Sequence, residues 1–404
     1  MRTLGIRASR RHWLLALAAG GAVGSMRHAA SAASPPARAA DAATAPPRHA
    51  HEPEAQDSVR RGRPLVFPRD HGAHPGTRIE WWYLTGWLRQ AGDAALLGFQ
   101  LTFFRVRTGL AESLPGRLAP RQLLFAHAAI TDLARGRHHH AEHLARWNGQ
   151  WHDDPASVNQ ASLVHRDVRL GPWHLDARQA RVRTARLELE LQLAPTQPIL
   201  LQGERGYSRK GPGPTQASHY YSEPHIAVQG ELAFEGTRRS GSGRAWLDHE
   251  WSDEILHPQA VGWDWIGINL EDGRALTAFR LRRADGSVLW AGGSVRGPGA
   301  PGGTGASGAS GASVRDFAPD EVVFEPGRTW KSPATQALYP VAWTVRTPAG
   351  TFGVRSLLDA QEIDARRSTG TVYWEGLSEL LDAQGRRLGL GYLEMTGYAG
   401  RLRL

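Results

Sequence analysis

The feature that most constrains the fold of this chain is an internal repeat of short, strand-like segments. Four pairs of segments match in the same order along the two halves of the sequence. The pairs are 81–88 with 263–270, 95–101 with 275–281, 220–221 with 373–374, and 230–232 with 391–393. Matches that keep their order predict two duplicated domains, since each copy of a repeat is one folding unit.

The segments between turns alternate apolar and polar residues, which is typical of half-buried strands. Residues 181–193 are a long example, and we predict one strand there. The 46 Gly and 25 Pro favour turns over long helices. The sequence therefore predicts an all-β chain of two antiparallel barrels or calycin-like sandwiches, at 64–240 and 241–404. The Gly/Ala/Ser/Pro run at 296–314 predicts a mobile surface loop.

Residues 1–32 have the features of an export signal. Arg10 and Arg11 precede the apolar run 13–23, and Ala30-Ser31-Ala32 is an A-x-A cleavage pattern. The paired Arg indicate a twin-arginine signal, which predicts a periplasmic location. Residues 33–63 are rich in Ala, Pro, Arg and His, and we predict a disordered tether. No apolar run is long enough for a transmembrane span, so we expect none in the mature protein.

Composition argues against several classes of function. The formal charge is +9, but residues 1–32 alone hold five Arg and no acid, so we expect no nucleic-acid partner. Cysteine is absent, which excludes disulfides, thiol nucleophiles and Cys-type zinc sites. His138, His139, His140 and His143 lie in a polar stretch, which favours an exposed loop over a metal site. No phosphate-binding or other cofactor motif is present, so we expect no metal and no cofactor.

Five motifs in order resemble the AttH-like lipocalin family, which includes the bacterial carotenoid 1,2-hydratases (hydroxyneurosporene synthases). The motifs are 80–86 (EWWYLTG), 219–222 (HYYS), 245–252 (AWLDHEWS), 373–376 (YWEG) and 391–398 (GYLEMTGY). The resemblance spans residues 64–404. It implies two consecutive lipocalin-like barrels, in agreement with the repeat.

The resemblance also implies a chemistry. The hydratases add water across a terminal C=C bond of an apolar carotenoid, which requires an acid, aromatic faces for the carbocation and a positioned water. The His and Trp of an H-x-W motif belong to the family's active site, and here they are His249 and Trp251. The family's later Tyr and Asp have no counterpart in residues 274–280, and Asp264 is the nearest substitute acid. For a hydratase we expect Asp248 or Asp264 to be protonated in apolar surroundings.

We expect the catalytic candidates to meet aromatic and acidic side chains near the seam between the two domains. The candidate ligand-binding residues are Glu80, Trp81, Tyr83, Tyr221, Glu250, Trp263, Trp265 and Trp374. Two alternatives stay open. The aromatic residues would also suit simple core packing, and residues 248–250 would also suit a hydrogen-bond cluster that joins the domains.

Three hypotheses for function follow. The first is an exported lipocalin-like protein that binds an apolar lipid or isoprenoid ligand, as an accessory of an ABC transporter permease. The alternative is a hydro-lyase of the carotenoid 1,2-hydratase type, and the third is an interaction module with a filled core. Export favours the first, because carotenoid synthesis is coupled to the inner membrane. An enzyme requires a protonated acid that faces the ligand, whereas a carrier predicts ionised carboxylates paired with His249 or Arg244.

Overall fold

The computed structural model describes residues 57–92, 95–110, 119–154, 156–254, 256–298 and 313–402. The predicted export signal, the predicted tether up to residue 56 and residues 299–312 of the predicted mobile loop lie outside these ranges. Strands and turns make up the described part, together with a 3-10 turn at Arg69–His71. None of its helices has the length and hydropathy of a membrane span. The all-β prediction is confirmed.

The first half forms a sheet of 13 strands. Its strands are β1 Ile79–Arg89, β2 Leu96–Arg107, β3 Gln122–Asp132, β4 Arg137–Trp147, β5 Asn159–Ala161, β6 Asp167–Leu170, β7 Trp173–Asp176, β8 Gln179–Arg183, β9 Leu187–Ala194, β10 Leu200–Leu201, β11 Tyr207–Arg209, β12 Ala217–Phe234 and β13 Thr237–Ser252. The sheet order is β4-β3-β2-β1-β13-β12-β9-β8-β7-β6-β5, and β10 and β11 pair with β12. The outermost strands β4 and β5 contact each other, so the sheet is nearly closed into a barrel.

The second half forms a sheet of 10 strands and a separate hairpin. Its strands are β14 Ala260–Leu270, β15 Ala275–Arg283, β16 Val288–Arg296, β17 Val314–Phe317, β18 Val323–Pro326, β19 Thr329–Lys331, β20 Leu338–Pro340, β21 Ala342–Thr347, β22 Gly350–Ser356, β23 Glu362–Ala365, β24 Thr371–Leu381 and β25 Arg387–Met395. The sheet order is β17-β16-β15-β14-β25-β24-β22-β21-β18, with β23 paired to β24 and the hairpin formed by β19 and β20.

The two sheets share one topology, which confirms the duplication. Strands β1, β2 and β3 are neighbours in the first sheet, as β14, β15 and β16 are in the second. Strands β13 and β12 continue the first sheet beyond β1, and β25 and β24 continue the second beyond β14. Three of the four sequence matches fall on equivalent strands. The match of 230–232 with 391–393 is wrong, because these segments lie on β12 and β25, which are not equivalent.

The chain passes from one sheet to the other between Ser252 and Ala260, later than the predicted boundary at 240/241. Glu235 and Gly236, with φ of 48° and 72°, form a two-residue turn that pairs Phe234 with Thr237. Positive φ at both central residues is typical of a hairpin turn whose twist matches the flanking strands. The Gly/Ser-rich segment that follows is therefore a strand of the first domain and not a linker.

Three smaller predictions are also corrected. Residues 181–193 form two strands, β8 and β9, because the Thr184 hydroxyl accepts a hydrogen bond from the amide of Leu187 and closes a turn. The histidines at 138–140 lie on β4 and not in an exposed loop. The end of the predicted tether is packed, because Asp57 is 2% exposed and accepts a hydrogen bond from Arg69 at 2.8 Å.

Alternate residues of the central strands face different cores, because side chains along a strand point to opposite faces of the sheet. Trp82 packs inside the first sheet and Ile266 inside the second. Tyr83 and Trp265 point the other way, into a third cluster where the outer faces of the two sheets meet. A site between the sheets is therefore built from residues that neither barrel interior uses.

Candidate site between the two sheets

A cavity with about 1070 Å³ of empty space lies between the two sheets and opens partly to solvent. Both halves contribute aromatic side chains to its wall: Trp81, Tyr83, Phe104, Tyr220, Trp263, Trp265 and Phe279. The carboxyl groups in its wall belong to Asp248, Glu250, Glu254, Glu375 and Glu394, and Lys210 contributes a cation. A concave, mainly apolar surface with a few convergent polar groups is typical of small-molecule sites.

Strand register explains why aromatic and acidic side chains meet here. Tyr83 of β1 lies opposite Asp248 of β13, and Trp265 of β14 lies opposite Glu394 of β25. Residues directly opposite each other in an antiparallel pair present their side chains on the same face. The duplication therefore places one aromatic–carboxyl pair from each domain in the same cavity.

Asp248 is 3% exposed and has only neutral hydrogen-bond donors. Its carboxyl accepts hydrogen bonds from the Tyr220 hydroxyl at 2.8 Å, the Ser222 hydroxyl at 2.5 Å and the Trp246 indole at 2.7 Å. Burial raises the pKa of Asp248 to about 7, although these hydrogen bonds favour the ionised form. The group is therefore able to gain or lose a proton near neutral pH.

Glu375 and Glu394 lie directly opposite each other on β24 and β25. Burial, followed by the charge of Glu394, raises the pKa of Glu375 well above its ordinary value. Burial raises the pKa of Glu394 to about 7, although its carboxyl accepts a hydrogen bond from the Trp263 indole at 2.9 Å. Within the described residues, neither carboxyl forms an ion pair, and neither does Asp248.

Glu250 is the carboxyl of the cavity that is neutralised. Lys210 Nζ lies 2.9 Å from Glu250 Oε1, and the Ser218 hydroxyl donates a hydrogen bond to the same oxygen. The ammonium also lies 4.8 Å from the ring centre of Tyr220 and 4.3 Å from that of Phe279. Lys210 therefore compensates Glu250 at the aromatic wall.

His249 and Trp251 lie on the opposite face of β13, inside the first sheet. His249 Nε2 lies 2.9 Å from Glu80 Oε1, and its Nδ1 lies 3.1 Å from the Tyr221 hydroxyl. Burial lowers the pKa of His249 to about 4. Residues 248–251 therefore do not converge as predicted, because the period of two sends alternate side chains to opposite faces.

Glu80 is the centre of this internal cluster. Its carboxylate accepts hydrogen bonds from the His74 amide at 2.9 Å and from Arg105 Nε at 2.8 Å, and His74 Nδ1 lies 2.8 Å from it. Burial opposes ionisation, but the charge of His74, the hydrogen bond from His249 and the charge of Arg105 hold the pKa of Glu80 well below its ordinary value.

Metal-ligating atoms of His74, Glu80 and His249 lie within 4.8 Å of one another. His74 Nε2 also lies 3.1 Å from Asp70 Oδ1, so both of its ring nitrogens face carboxylates. Arg69 Nη1 lies 3.2 Å from the same nitrogen. These contacts tie the 69–74 segment to β1 and β13.

Asp264 lies inside the second sheet and does not line the cavity. It pairs with Arg280 Nε at 2.7 Å and Arg282 Nε at 3.0 Å, and it accepts a hydrogen bond from the Tyr398 hydroxyl at 2.8 Å. Its position is equivalent to that of Trp82, which faces the first interior. The expectation that Asp264 joins Asp248 at the seam is wrong for the same geometric reason.

The structure divides the predicted site residues into two groups. Those that line the cavity are Trp81, Tyr83, Asp248, Glu250, Trp263 and Trp265. Those that lie elsewhere, buried within the two sheets, are Glu80, Tyr221, His249, Trp251, Asp264 and Trp374. Sequence reasoning missed Glu375, Glu394 and Lys210. Both glutamates belong to the motifs at 373–376 and 391–398, and a carboxylate in a strand of mostly apolar residues was the available signal.

Comparison with known proteins gives one family. A model of the family described as AttH-like matches residues 58–398. A crystal structure named AttH, from Nitrosomonas europaea, is 44% identical, covers 84% of this chain and 99% of its own, and superimposes with a TM-score of 0.72. Kievitone hydratase from Nectria haematococca is 14% identical, covers 85% of this chain and 96% of its own, with a TM-score of 0.59. No curated protein matches the chain significantly.

Proposed function

The chain belongs to the AttH-like family, and on that premise we propose that it binds an apolar, unsaturated lipid or isoprenoid between its two sheets and adds water to a C=C bond of that ligand. One observation carries the proposal. Asp248, Glu375 and Glu394 face an aromatic cavity without an ion-pair partner among the described residues.

The surface of the cavity suits an apolar ligand. Its empty space of about 1070 Å³ includes open solvent, and its wall is mainly apolar with a few polar groups, which is typical of small-molecule sites. Aromatic faces such as those of Trp81 and Trp265 would bury a hydrocarbon chain and attract a developing cation. These two properties support binding of an alkene and stabilisation of a carbocation derived from it.

The ionisation of the cavity supports chemistry over simple carriage. A carrier predicts that Asp248 is paired with His249 or Arg244, but its carboxyl accepts hydrogen bonds only from neutral groups. A carboxyl group with a pKa of about 7 is poised to transfer a proton at neutral pH. Kievitone hydratase shares the fold, and its name describes a hydratase. The proposal for this chain rests on its own carboxyl groups.

The test is binding and turnover of lycopene or neurosporene by the purified protein. Binding is measured by quenching of tryptophan fluorescence, and product is measured by mass spectrometry as incorporation of isotope-labelled water. We expect binding by wild type and by Asp248→Asn, with hydroxylated product formed by wild type and lost in the variant. Glu325→Gln is the control, because Glu325 is half-exposed and pairs with Arg346 on the surface.

The outcomes separate the candidates. Binding without product in wild type would refute hydration and leave a carrier, whose identity would follow from mass spectrometry of co-purifying lipid. Absence of both bound ligand and co-purifying lipid would refute both and leave the interaction module. Export to the periplasm and partnership with an ABC transporter permease are further parts of this proposal, and residues 1–32 support the first of them.

A further inference from the structure

The two ends of the acidic cavity are built differently, although they occupy equivalent positions in the duplicated domains. Asp248 and Glu394 correspond, since each lies opposite the aromatic residue of its own central strand. The next strand differs. Ser222 lies opposite Asp248 on β12, whereas Glu375 lies opposite Glu394 on β24. Where the first domain has a hydroxyl donor, the second has a second carboxyl.

This difference gives the two ends of the cavity different affinities for a proton. Three donors, the hydroxyls of Tyr220 and Ser222 and the indole of Trp246, point at the Asp248 carboxyl. Hydrogen bonds to a carboxyl from donors favour its ionised form. Asp248, whose pKa is raised to about 7, is thus more readily ionised than Glu375, whose pKa lies well above its ordinary value.

Glu375 and Glu394 favour the shared, protonated state. Directly opposite residues have Cβ atoms about 4.5–5.5 Å apart, and two buried carboxyls at such a separation resist simultaneous ionisation. Among the described residues, the Trp263 indole donates a hydrogen bond to Glu394 at 2.9 Å, and the Tyr83 hydroxyl donates toward Glu375, which is 2% exposed. The buried surroundings of Glu375 and Glu394 therefore favour a state in which the two carboxyls hold one proton.

We propose that the Glu375–Glu394 pair is the general acid of the site and that Asp248 is its general base. The proposal rests on the proposed hydration of an alkene and assigns its two proton transfers. It also replaces the sequence-based expectation that Asp248 or Asp264 is the acid. Environments that push the proton affinities of neighbouring carboxyls apart are what distinguish acid from base in such a site.

The step balances without any other reactant. The O–H bond of the protonated glutamate breaks as the π electrons of the alkene form a new C–H bond, which leaves a tertiary carbocation against the aromatic wall. The oxygen of one water then bonds to the cationic carbon, and Asp248 accepts the proton that this water releases. Transfer of that proton back to the glutamate pair, through solvent, restores the site. The net change is the addition of one water molecule.

The first experiment determines which carboxyl group of the cavity is protonated in the absence of ligand. Infrared spectroscopy at neutral pH should show the C=O band of a protonated carboxylic acid in wild type and in Asp248→Asn. The double variant Glu375→Gln/Glu394→Gln should lose the larger part of this band, because only the partly protonated Asp248 of the three unpaired carboxyls remains. A band that persists in the double variant and is lost in Asp248→Asn would overturn the assignment, because Asp248 would then hold the proton.

Turnover of lycopene or neurosporene tests the roles. A general acid contributes about 10²–10⁴-fold to rate, so Glu375→Gln should lower kcat by that factor while ligand binding is retained. In Glu394→Gln the alkaline limb of the pH–rate profile should move to lower pH, because Glu375 no longer faces a second carboxylate. A merely structural role would not move that limb. Thermal unfolding of each variant checks the fold, and Glu325→Gln is again the surface control.

A second substitution of Glu375 is tested as well, so that the result does not depend on the folding of one variant. Glu375→Ser introduces at the second domain the hydroxyl that the first domain has at the equivalent strand position, Ser222. It should weaken the acid band, since Glu394 and Asp248 remain partly protonated at neutral pH, and it should lower kcat as Glu375→Gln does. Full turnover in both Glu375 variants would overturn this inference and leave the proposed hydration standing. A wild type that makes no product refutes the proposed function, whereas the infrared result still decides where the proton lies.

Discussion

Glu80 should be one of the most sensitive positions for stability, because it neutralises a fully buried arginine. Arg105 is 0% exposed, and its Nε donates a hydrogen bond to Glu80 at 2.8 Å. The other hydrogen bonds of the guanidinium go to the neutral partners Gln122 and Thr77. Glu80→Gln keeps the volume of the side chain but removes the negative charge. The buried guanidinium of Arg105 would then lack its counter-charge. The donors of His74 and Arg105 would also share one acceptor oxygen in place of two.

Removal of one partner of a buried ion pair costs about 3–5 kcal/mol. For a domain of roughly 150–250 residues, each 1 kcal/mol lowers Tm by about 2–4 °C. The expected fall in Tm is therefore about 6–20 °C. Total stability is only about 5–15 kcal/mol, so this single carboxylate accounts for a large share of it.

The assay is thermal and urea unfolding, followed by far-UV circular dichroism and tryptophan fluorescence. Glu325→Gln is the matched control, because it removes the same charge from a half-exposed pair with Arg346, and exposed pairs contribute about 0–1 kcal/mol. A loss below about 1 kcal/mol in Glu80→Gln would refute the reasoning, since the buried charge of Arg105 would then need no compensation from Glu80.

Three further predictions test other parts of the molecule. The pKa of buried His127 is lowered to about 3 by desolvation, so the folded state excludes a proton that the unfolded state binds below about pH 6.5. The contribution of His127 alone should be a loss of about 1.4 kcal/mol per pH unit below that value. His127→Gln should remove this contribution from the slope of Tm against pH, whereas buried histidines such as His138 and His249 should keep theirs. Gly243→Ala should destabilise strongly, because its Cβ would lie 1.8 Å from a backbone oxygen of β1, whereas Gly353→Ala, with 3.4 Å to its nearest neighbour, should have a small effect. Replacement of Arg10 and Arg11 by Lys should abolish export, and unchanged periplasmic accumulation by cell fractionation would contradict the twin-arginine route.

Much of the fold could be predicted from the sequence, because strand period and internal repeats are local properties. The alignment of 81–88 with 263–270 places both segments on equivalent central strands. The errors arose where a turn depends on one or two residues. The Thr184 hydroxyl divides one predicted strand into two, and the turn at Glu235 and Gly236 makes a strand of a predicted linker.

The candidate site could be predicted only in part. Asp248, Trp81 and Tyr83 share a face because of their register, and the motifs contain all of them. The motif His249 and Trp251, which family resemblance favours, lies on the other face of β13. The period of two already indicated that Asp248 and His249 lie on opposite faces of the strand. The sequence did not show which of these two faces encloses a cavity, because alternation does not distinguish one buried face from another.

The sequence by itself determined which side chains share a strand face and which segments are duplicates, because both follow from the period of two and from order along the chain. Only the tertiary structure decided that the outer faces of the two sheets meet, and that Glu375 and Glu394 of one domain share a cavity with Asp248 of the other. Desolvation at that contact raises their pKa values. The proton chemistry of a carboxyl depends on what surrounds it in space, and those neighbours here come from strands more than a hundred residues apart.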